Sequence, residues 1–302
     1  MALQSPSFDI AGALPVRATL TPVSRGYWQS VRRRLGRDPV TLVCGALLLL
    51  IVASALTAPW LGLADPYKTS MLRRLYPLGS PNFLLGTDEL GRDMMARLIY
   101  GGRLSLFMGV TPVVCALLIG GLLGITAGFM GGRVNMLIMR IMDVFYAFPS
   151  VLLAISLSGA MGAGAENTLL ALTLVFIPPI CRVSESVTTQ VRGFDFVDAA
   201  RASGAGMLTI VRVHVLGNVL GPILVYATSL ISVAIILAAG LSFLGLGVKP
   251  PEPEWGLMLN TLRQAIYVNP VLAALPGVMI FITSICFNLM SDGLRAAMDV
   301  KA

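Results

Sequence analysis

Six long apolar runs divide this chain, at about residues 40–61, 104–129, 141–160, 168–181, 219–248 and 271–290. About 20 mostly apolar residues, coiled as a helix, span the ~30 Å hydrocarbon core of a bilayer. A helix also pairs its backbone groups within the segment, which the water-free core demands. Composition agrees: 56% of the 302 residues are hydrophobic and 12% are charged, against about 25% charged in a typical soluble domain. The runs predict an all-α integral membrane protein of six transmembrane helices. The fourth run is short, and Pro178 and Pro179 predict a break in it. The fifth is long and Gly-rich towards its end. The first contains Ala53-Ser54-Ala55, which resembles a leader cleavage site, but some 39 residues precede that run. Leader n-regions are far shorter, so the run reads as an uncleaved first helix.

The net charge of +7 is unevenly placed. Arg32, Arg33, Arg34 and Arg37 crowd the start of the first run, where basic residues mark the cytoplasmic side. With the N-terminus inside, six crossings return the C-terminus inside, and fourteen of the 22 Lys and Arg residues fall on that side. Six of the other eight lie in the first outside loop, at about 62–103, where Asp65, Asp88, Glu89 and Asp93 can pair with some of them. The chain then divides into a cytoplasmic tail at 1–39 and a transmembrane domain at 40–302. The first 30 residues of the tail lack periodicity and read as mobile. The domain carries the outside loop at about 62–103 and an inside loop at about 182–218. In the last outside loop, Pro250, Pro251 and Pro253 remove backbone donors and predict extended chain. Glu254 and Trp255 then open a short amphipathic piece, with Trp255 suited to the membrane interface.

The inside loop carries the most distinctive pattern. Asp198 can place negative charge in the first turn of a short helix, where the macrodipole favours it. Ala199, Ala200 and Ala202 make a surface of small side chains that another body can approach closely. Gly204 supplies a turn that a Cβ would resist. A second helix is expected from about Met207, with Leu208, Val211 and Val215 at helical spacing. The outcome is a pair of short helices with an angled joint, a shape that a soluble partner can grip.

Asp198-Ala199-Ala200, three residues and Gly204 resemble the EAA loop of ABC importer permeases. That pattern continues with about nine residues and then Ile-x-Leu-Pro, a position filled here by His214-Val-Leu-Gly217. Asp198 stands where Glu is usual, His214 where Ile is usual and Gly217 where Pro is usual. Three further segments resemble the C-type permease subunits of dipeptide, oligopeptide and nickel importers. The first runs from Leu85 through Thr87, Asp88, Gly91, Arg92 and Asp93 to Tyr100-Gly-Gly-Arg103-Leu-Ser105. The second pairs Leu-Ser-Phe-Leu-Gly-Leu-Gly at 241–247 with Pro-Pro-Glu-Pro-Glu-Trp-Gly at 250–256. The third is Phe-Asn-Leu-Met-Ser-Asp-Gly-Leu-Arg at 287–295, where Ser291, Ala296 and Val300 depart from the commoner Gly, Asp and Pro. Four matches in order, covering about 32–301, identify the chain as a member of this family.

The resemblance implies a type I permease fold of six transmembrane helices with a cytoplasmic coupling helix. It implies translocation of di- or oligopeptides across a bacterial inner membrane. It implies a pseudo-twofold heterodimer with a B-type permease, one or two ATPase subunits that bind ATP and Mg, and a periplasmic or lipid-anchored binding protein. Asp198, Ala199, Ala200, Arg201, Gly204, Met207, Val211 and His214 are the expected ATPase-coupling residues. Asp88, Arg92, Asp93, Glu254 and Trp255 are expected at the periplasmic mouth.

The residues exclude other chemistry. No phosphate-loop pattern is present, so the chain binds no nucleotide itself. The single histidine leaves no serine triad and no histidine metal cluster. Cys44, Cys115, Cys181 and Cys286 lie far apart at apolar positions and read as packing residues. No catalytic residue, metal or cofactor is expected in this chain. Aromatic-interleaved basic runs are absent, which argues against nucleic acid. Arg140 and Asp143, spaced i,i+3, read as an interfacial ion pair. Mid-span positions are otherwise nearly all neutral, whereas ion-coupled transport usually leaves buried acids or bases there. A nickel or metal-chelate importer is the alternative within the family. An ion-coupled secondary transporter is the alternative outside it.

Overall fold

The computed structural model describes residues 27–298, so the first 26 residues of the tail expected at 1–39 and the departure at Val300 lie outside the described residues. A short helix, α1 (Tyr27–Leu35), precedes α2 (Pro39–Thr57). Asp38 caps α2 by accepting the Val40 N–H at 3.2 Å, with Pro39 at the first helical position, where its missing N–H costs nothing. After a long loop come α3 (Met94–Met130), α4 (Gly132–Tyr146), α5 (Ser150–Met161), α6 (Ala165–Arg192) and α7 (Asp195–Ala202). Then α8 (Met207–Ile210), a π-helical turn (Val211–Val215) and α9 (Leu216–Phe243) form one continuous rod. The short α10 (Trp255–Leu262) and the long α11 (Pro270–Met298) complete the order.

Five of these helices are long and apolar enough to cross a membrane, and six spans result if α4 and α5 count as one. That third span is not straight. It bends by 84° between Tyr146 and Ser150. The cause is Pro149, which biases Phe148 away from helical backbone. The fourth span reverses the expectation: α6 runs unbroken through Pro178 and Pro179.

The reason lies in its packing. α3 and α6 form the most extensive helix pair in the molecule. A Cβ placed on Gly120 would stand 2.6 Å from the Ile177 carbonyl oxygen, just before the prolines. One on Gly124 would stand 2.2 Å from the Cys181 oxygen, just after them, and one on Gly128 2.6 Å from the Glu185 oxygen. Backbone lies on backbone across the proline pair, a small-residue contact of the kind that joins helices in lipid. The seam offsets the hydrogen bonds that the prolines remove.

Interhelical contacts sort the helix ends onto two faces. Gly293 of α11 abuts Thr41 of α2, and Gly221 of α9 abuts Met298 of α11. Arg192 at the end of α6 donates to the Gly128 carbonyl near the end of α3, at 3.5 Å. The start of α2, the ends of α3, α6 and α11 and the start of α9 therefore share one face, together with α7. The loop at 61–93, α10 and the start of α3 share the other. The main core joins Met94, Met108, Leu172, Ile180, Ile235, Trp255 and Leu272. A second cluster at the α7 end joins Phe129, Val197, Ile210, Val215 and Val219.

Candidate functional site

The segment expected to couple forms an exposed knob at one end of the bundle. α7 is anchored by Val197, which is buried in the cluster with Phe129 and Ile210. Asp195 and Asp198 occupy its first turn, where a helix favours negative charge. Asp198 pairs with Arg201 at 3.0 Å, and the Arg201 guanidinium lies 5.8 Å from the Phe129 ring. Ala199, Arg201, Gly204 and Met207 are exposed, whereas Ala200, Val211 and His214 are half-buried. The His214 ring lies 6.3 Å from Phe196, a packing position. Gly204 adopts φ +79°, and a Cβ there would meet nothing within 4 Å. Its requirement is conformational, not a close approach within this chain.

The second short helix is not separate: from Met207 the chain enters the rod that continues as α9, and Gly217 lies inside it without a turn. Arg182 to Arg192, read as the start of the loop, extend α6. Leu208, at helical spacing with Val211 and Val215, is 84% exposed, whereas Val215 is buried. With Phe194 and Phe196, Leu208 gives the knob an apolar rim. Phe194 and Phe196 are absent from the expected coupling residues, although unpaired apolar residues in a polar loop were the available signal.

At the opposite end the five expected mouth residues gather, but mostly inside the protein. Asp88, Arg92, Glu254 and Trp255 are buried. Asp88 Oδ1 accepts the N–H groups of Leu90 and Arg92, each at 2.9 Å. Its Oδ2 takes the Arg92 Nε at 2.6 Å and stands 3.2 Å from the Arg97 Nε. Arg97 also donates to the Pro66 carbonyl at 3.1 Å and the Pro251 carbonyl at 3.4 Å, clasping two loops together. Asp93 caps α3 through the Ala96 N–H. It does not pair with Arg97, which the i,i+4 spacing suggested. The buried charges pair with one another, as burial requires, although Arg97 Nε and Glu89 Oε2 make no hydrogen bond.

Glu254 caps α10 by accepting the Gly256 and Leu257 N–H groups, both at 2.8 Å. Burial pushes its carboxyl above the usual range, and those two N–H groups pull it part of the way back. Trp255 lies beneath Gly101 and Gly102 and donates from Nε1 to the Leu98 carbonyl at 2.9 Å. It is a core residue, not an interface anchor, because α10 folds back onto the helices. Glu254→Ala should cost about 2 kcal/mol, since two buried N–H groups lose their acceptor. Thermal unfolding of the purified protein measures this, and an unchanged midpoint would remove the capping role.

Openings lie in the bundle's outer surface, and two of them bear on function. One, of about 440 Å³, lies at the α10 end between Tyr67, Tyr100, Arg103, Phe107 and Glu252. The other, of about 400 Å³, lies under the α4–α5 bend and is lined by Phe145, Tyr146, Phe148, Phe176, Pro178 and Leu230, among others. Beside it Asp143 pairs with Arg182 of α6, and not with Arg140 as its spacing suggested. Among the described residues, no group of three His, Cys, Asp or Glu side chains is placed to hold a metal ion. The four cysteines are free.

Comparison with known proteins agrees with this architecture. Residues 120–301 match the family of binding-protein-dependent transport system inner membrane components. Residues 26–77 match the N-terminal transmembrane domain of oligopeptide transport permease C. The chain is 44% identical over 282 residues to the di/tripeptide transport system permease protein of Pseudomonas aeruginosa, covering 91% of each. It is 39% identical to a glutathione transport system permease of Pectobacterium atrosepticum, covering 92% of each. It is 36% identical to a probable D,D-dipeptide permease of Escherichia coli, covering 88% of this chain and 89% of that one. Among solved structures, a chain of the MetNI methionine ABC transporter in an inward-facing form superimposes with a TM-score of 0.56. That match has 20% identity and covers 68% of this chain and 97% of the other, a likeness of fold.

Proposed function

The chain belongs to the binding-protein-dependent inner-membrane components, the permease subunits of ABC importers, and from that premise we propose how it works and what it carries. It is a multi-pass membrane subunit without enzymatic activity of its own, and ATP hydrolysis belongs to partner subunits. Its cargo is a short peptide. The relatives named for di/tripeptides, glutathione and D,D-dipeptides support this reading over nickel or a metal chelate. No ion-coupled mechanism is needed.

The partner in the membrane is a B-type permease, related by a pseudo-twofold axis. A periplasmic or lipid-anchored binding protein docks at the α10 end. The knot of Asp88, Arg92 and Arg97 keeps the two outer loops in register to receive it. Both termini face the cytoplasm, with 1–39 as a tail and 40–302 as the transmembrane domain. Support for that orientation comes from charge: Arg92, Arg97 and Arg103 of the outer loop are tied to Asp88, Glu89 or backbone carbonyls. The cluster from Arg32 to Arg37 stands at the α7 end, next to the start of α2.

One observation carries the mechanism: an exposed helix, Asp195–Ala202, joined through a buried valine to the inner ends of the long helices. Asp198, Ala199, Arg201, Gly204 and Met207 seat in a cleft on the ATPase, with Ala200, Val211 and His214 supporting them. ATP-driven closure of the ATPases moves this knob. Because α8 runs straight into α9, the movement passes rigidly into the spans and opens the other side. Gly204→Val forces a β-branched residue to φ +79°, at a cost of about 1–2 kcal/mol. The variant should insert normally, keep ATP hydrolysis in the assembled importer and lose peptide uptake. Uptake at the unaltered rate in proteoliposomes would sink the coupling role. Mild-detergent purification of the tagged chain tests the partners directly, by recovering a second permease and P-loop ATPases.

A further inference from the structure

Asp143 and Arg182 form an ion pair that is about half exposed, with side chains 45% and 49% accessible. Its depth makes this unusual. Arg182 lies 17 residues, roughly 26 Å at ~1.5 Å per residue, from the start of α6, which places it at the inner margin of a ~30 Å hydrocarbon core. Charges at such depth face water or protein, not lipid. The neighbouring surface agrees. Ser186, Thr189 and Gln190 follow Arg182 on one face of α6 at i+4, i+7 and i+8, and all are exposed and polar. In the other direction along α6, Pro178, Pro179 and Val175 line the cavity under the α4–α5 bend. Tyr146 joins the two regions. It lines the cavity, and the Arg182 guanidinium lies 4.7 Å from its ring centre. A single face thus runs from an aromatic cavity of about 400 Å³, past one cation and one anion, along a polar track to the inner end.

We infer that Asp143 and Arg182 read the charged ends of a short peptide, with the aromatic cavity beneath the α4–α5 bend taking an apolar side chain. The inference rests on the peptide reading of this permease. A free peptide is a zwitterion, so its carboxylate complements Arg182 and its ammonium complements Asp143. A solvent-accessible ion pair is weak, so the peptide exchanges each partner for its own terminus without leaving a charge bare. Arg182 offers a planar fork suited to a carboxylate. Phe145, Tyr146, Phe148 and Phe176 supply the apolar walls, and the closed seam of α3 and α6 holds the floor rigid. Pro149 sets the bend that opens the cavity, which explains why the third span is broken where the fourth is continuous.

The test uses the assembled importer. Phe148→Trp places a fluorescent reporter in the cavity. Its response is titrated with leucyl-phenylalanine in free, N-acetylated and C-amidated forms, without the binding protein, so that only the membrane complex discriminates. Free peptide should bind about tenfold more tightly than either blocked form, the size expected for one charge-assisted contact. Arg182→Gln should weaken free peptide to the level of the amide and N-acetylated peptide to about tenfold below it, while leaving the amide unchanged. Asp143→Asn should do the same for the N-terminus. Arg182→Lys should keep the preference for a free carboxylate. Equal weakening of all three forms, or no preference in the unaltered importer, makes the pair a structural clamp and overturns the inference. Peptide uptake by the unaltered importer is measured in parallel. If uptake occurs without discrimination at this pair, only the inference falls. If no peptide is taken up, the peptide reading falls and the inference with it.

Discussion

Asp88→Ala should lower the stability of the purified protein by about 3–5 kcal/mol, the usual cost of removing one partner from a buried ion pair. The Asp88 side chain is about 2% exposed and answers two guanidinium groups and two backbone N–H groups. Without it, Arg92 keeps Glu89 at 2.9 Å. Arg97 keeps its carbonyl acceptors but loses its ion-pair partner, a buried cation with Glu89 as its more distant counter-charge. Asp88→Asn separates the parts. It retains the acceptor for Leu90 and Arg92 N–H but loses the charge, so an intermediate loss is expected. Thermal melts in detergent decide it. Equal, small shifts for both variants would mean that the knot does not hold the loops.

Gly124→Leu should be the most damaging change in the membrane-spanning part. Any Cβ at 124 meets the Cys181 oxygen at 2.2 Å and the Glu185 nitrogen at 2.9 Å. These are backbone atoms of α6, which cannot swing aside as a side chain does. The helices must separate, and with them the clamp on Pro178 and Pro179. A cost of about 3 kcal/mol or more is expected for an overpacked contact of this kind. Loss of the monodisperse peak on size exclusion, with chain still in the membrane fraction, is the expected result. At Gly159, where a Cβ meets nothing within 4 Å, Gly159→Ala serves as the tolerated control. A Gly124→Leu protein that melts with the unaltered one would show that α3 and α6 do not pack through this seam.

Both predictions rest on features that sequence reading approached without reaching. Gly120, Gly124 and Gly128 repeat every four residues in an apolar run, a legible pattern for close helix contact. Nothing in it named α6 as the partner. Asp88 and Arg92 stood out as charges in an outer loop, yet the same residues suit a mouth or a buried knot. What distinguishes the two is whether the loop before α10 returns to them, a contact made by Pro251 with Arg97 across 154 residues. Trp255 was assigned to the interface on composition for the same reason. The knob at α7 was more legible. Its acidic first turn and Gly204 are local features, and local backbone preference produced them. The continuity of α8 with α9 was not legible, since Gly204 and Gly206 punctuate the loop whether or not a rod follows.

By itself, then, the sequence determined that the chain is built of helices long and apolar enough to cross a membrane five or six times, which loops are charged, and where a helix-turn element projects. These follow from hydrophobic run length, charge bias and residue-level backbone preference, all of which act over a few turns of helix. Tertiary structure decided which prolines bend a span and which do not, which charges are buried together, and that Asp143 meets Arg182 across 39 residues of chain instead of Arg140 beside it. Those outcomes depend on which helix faces meet. A proline breaks a helix only where no neighbouring backbone holds it, and a charge is buried only where the fold delivers its partner.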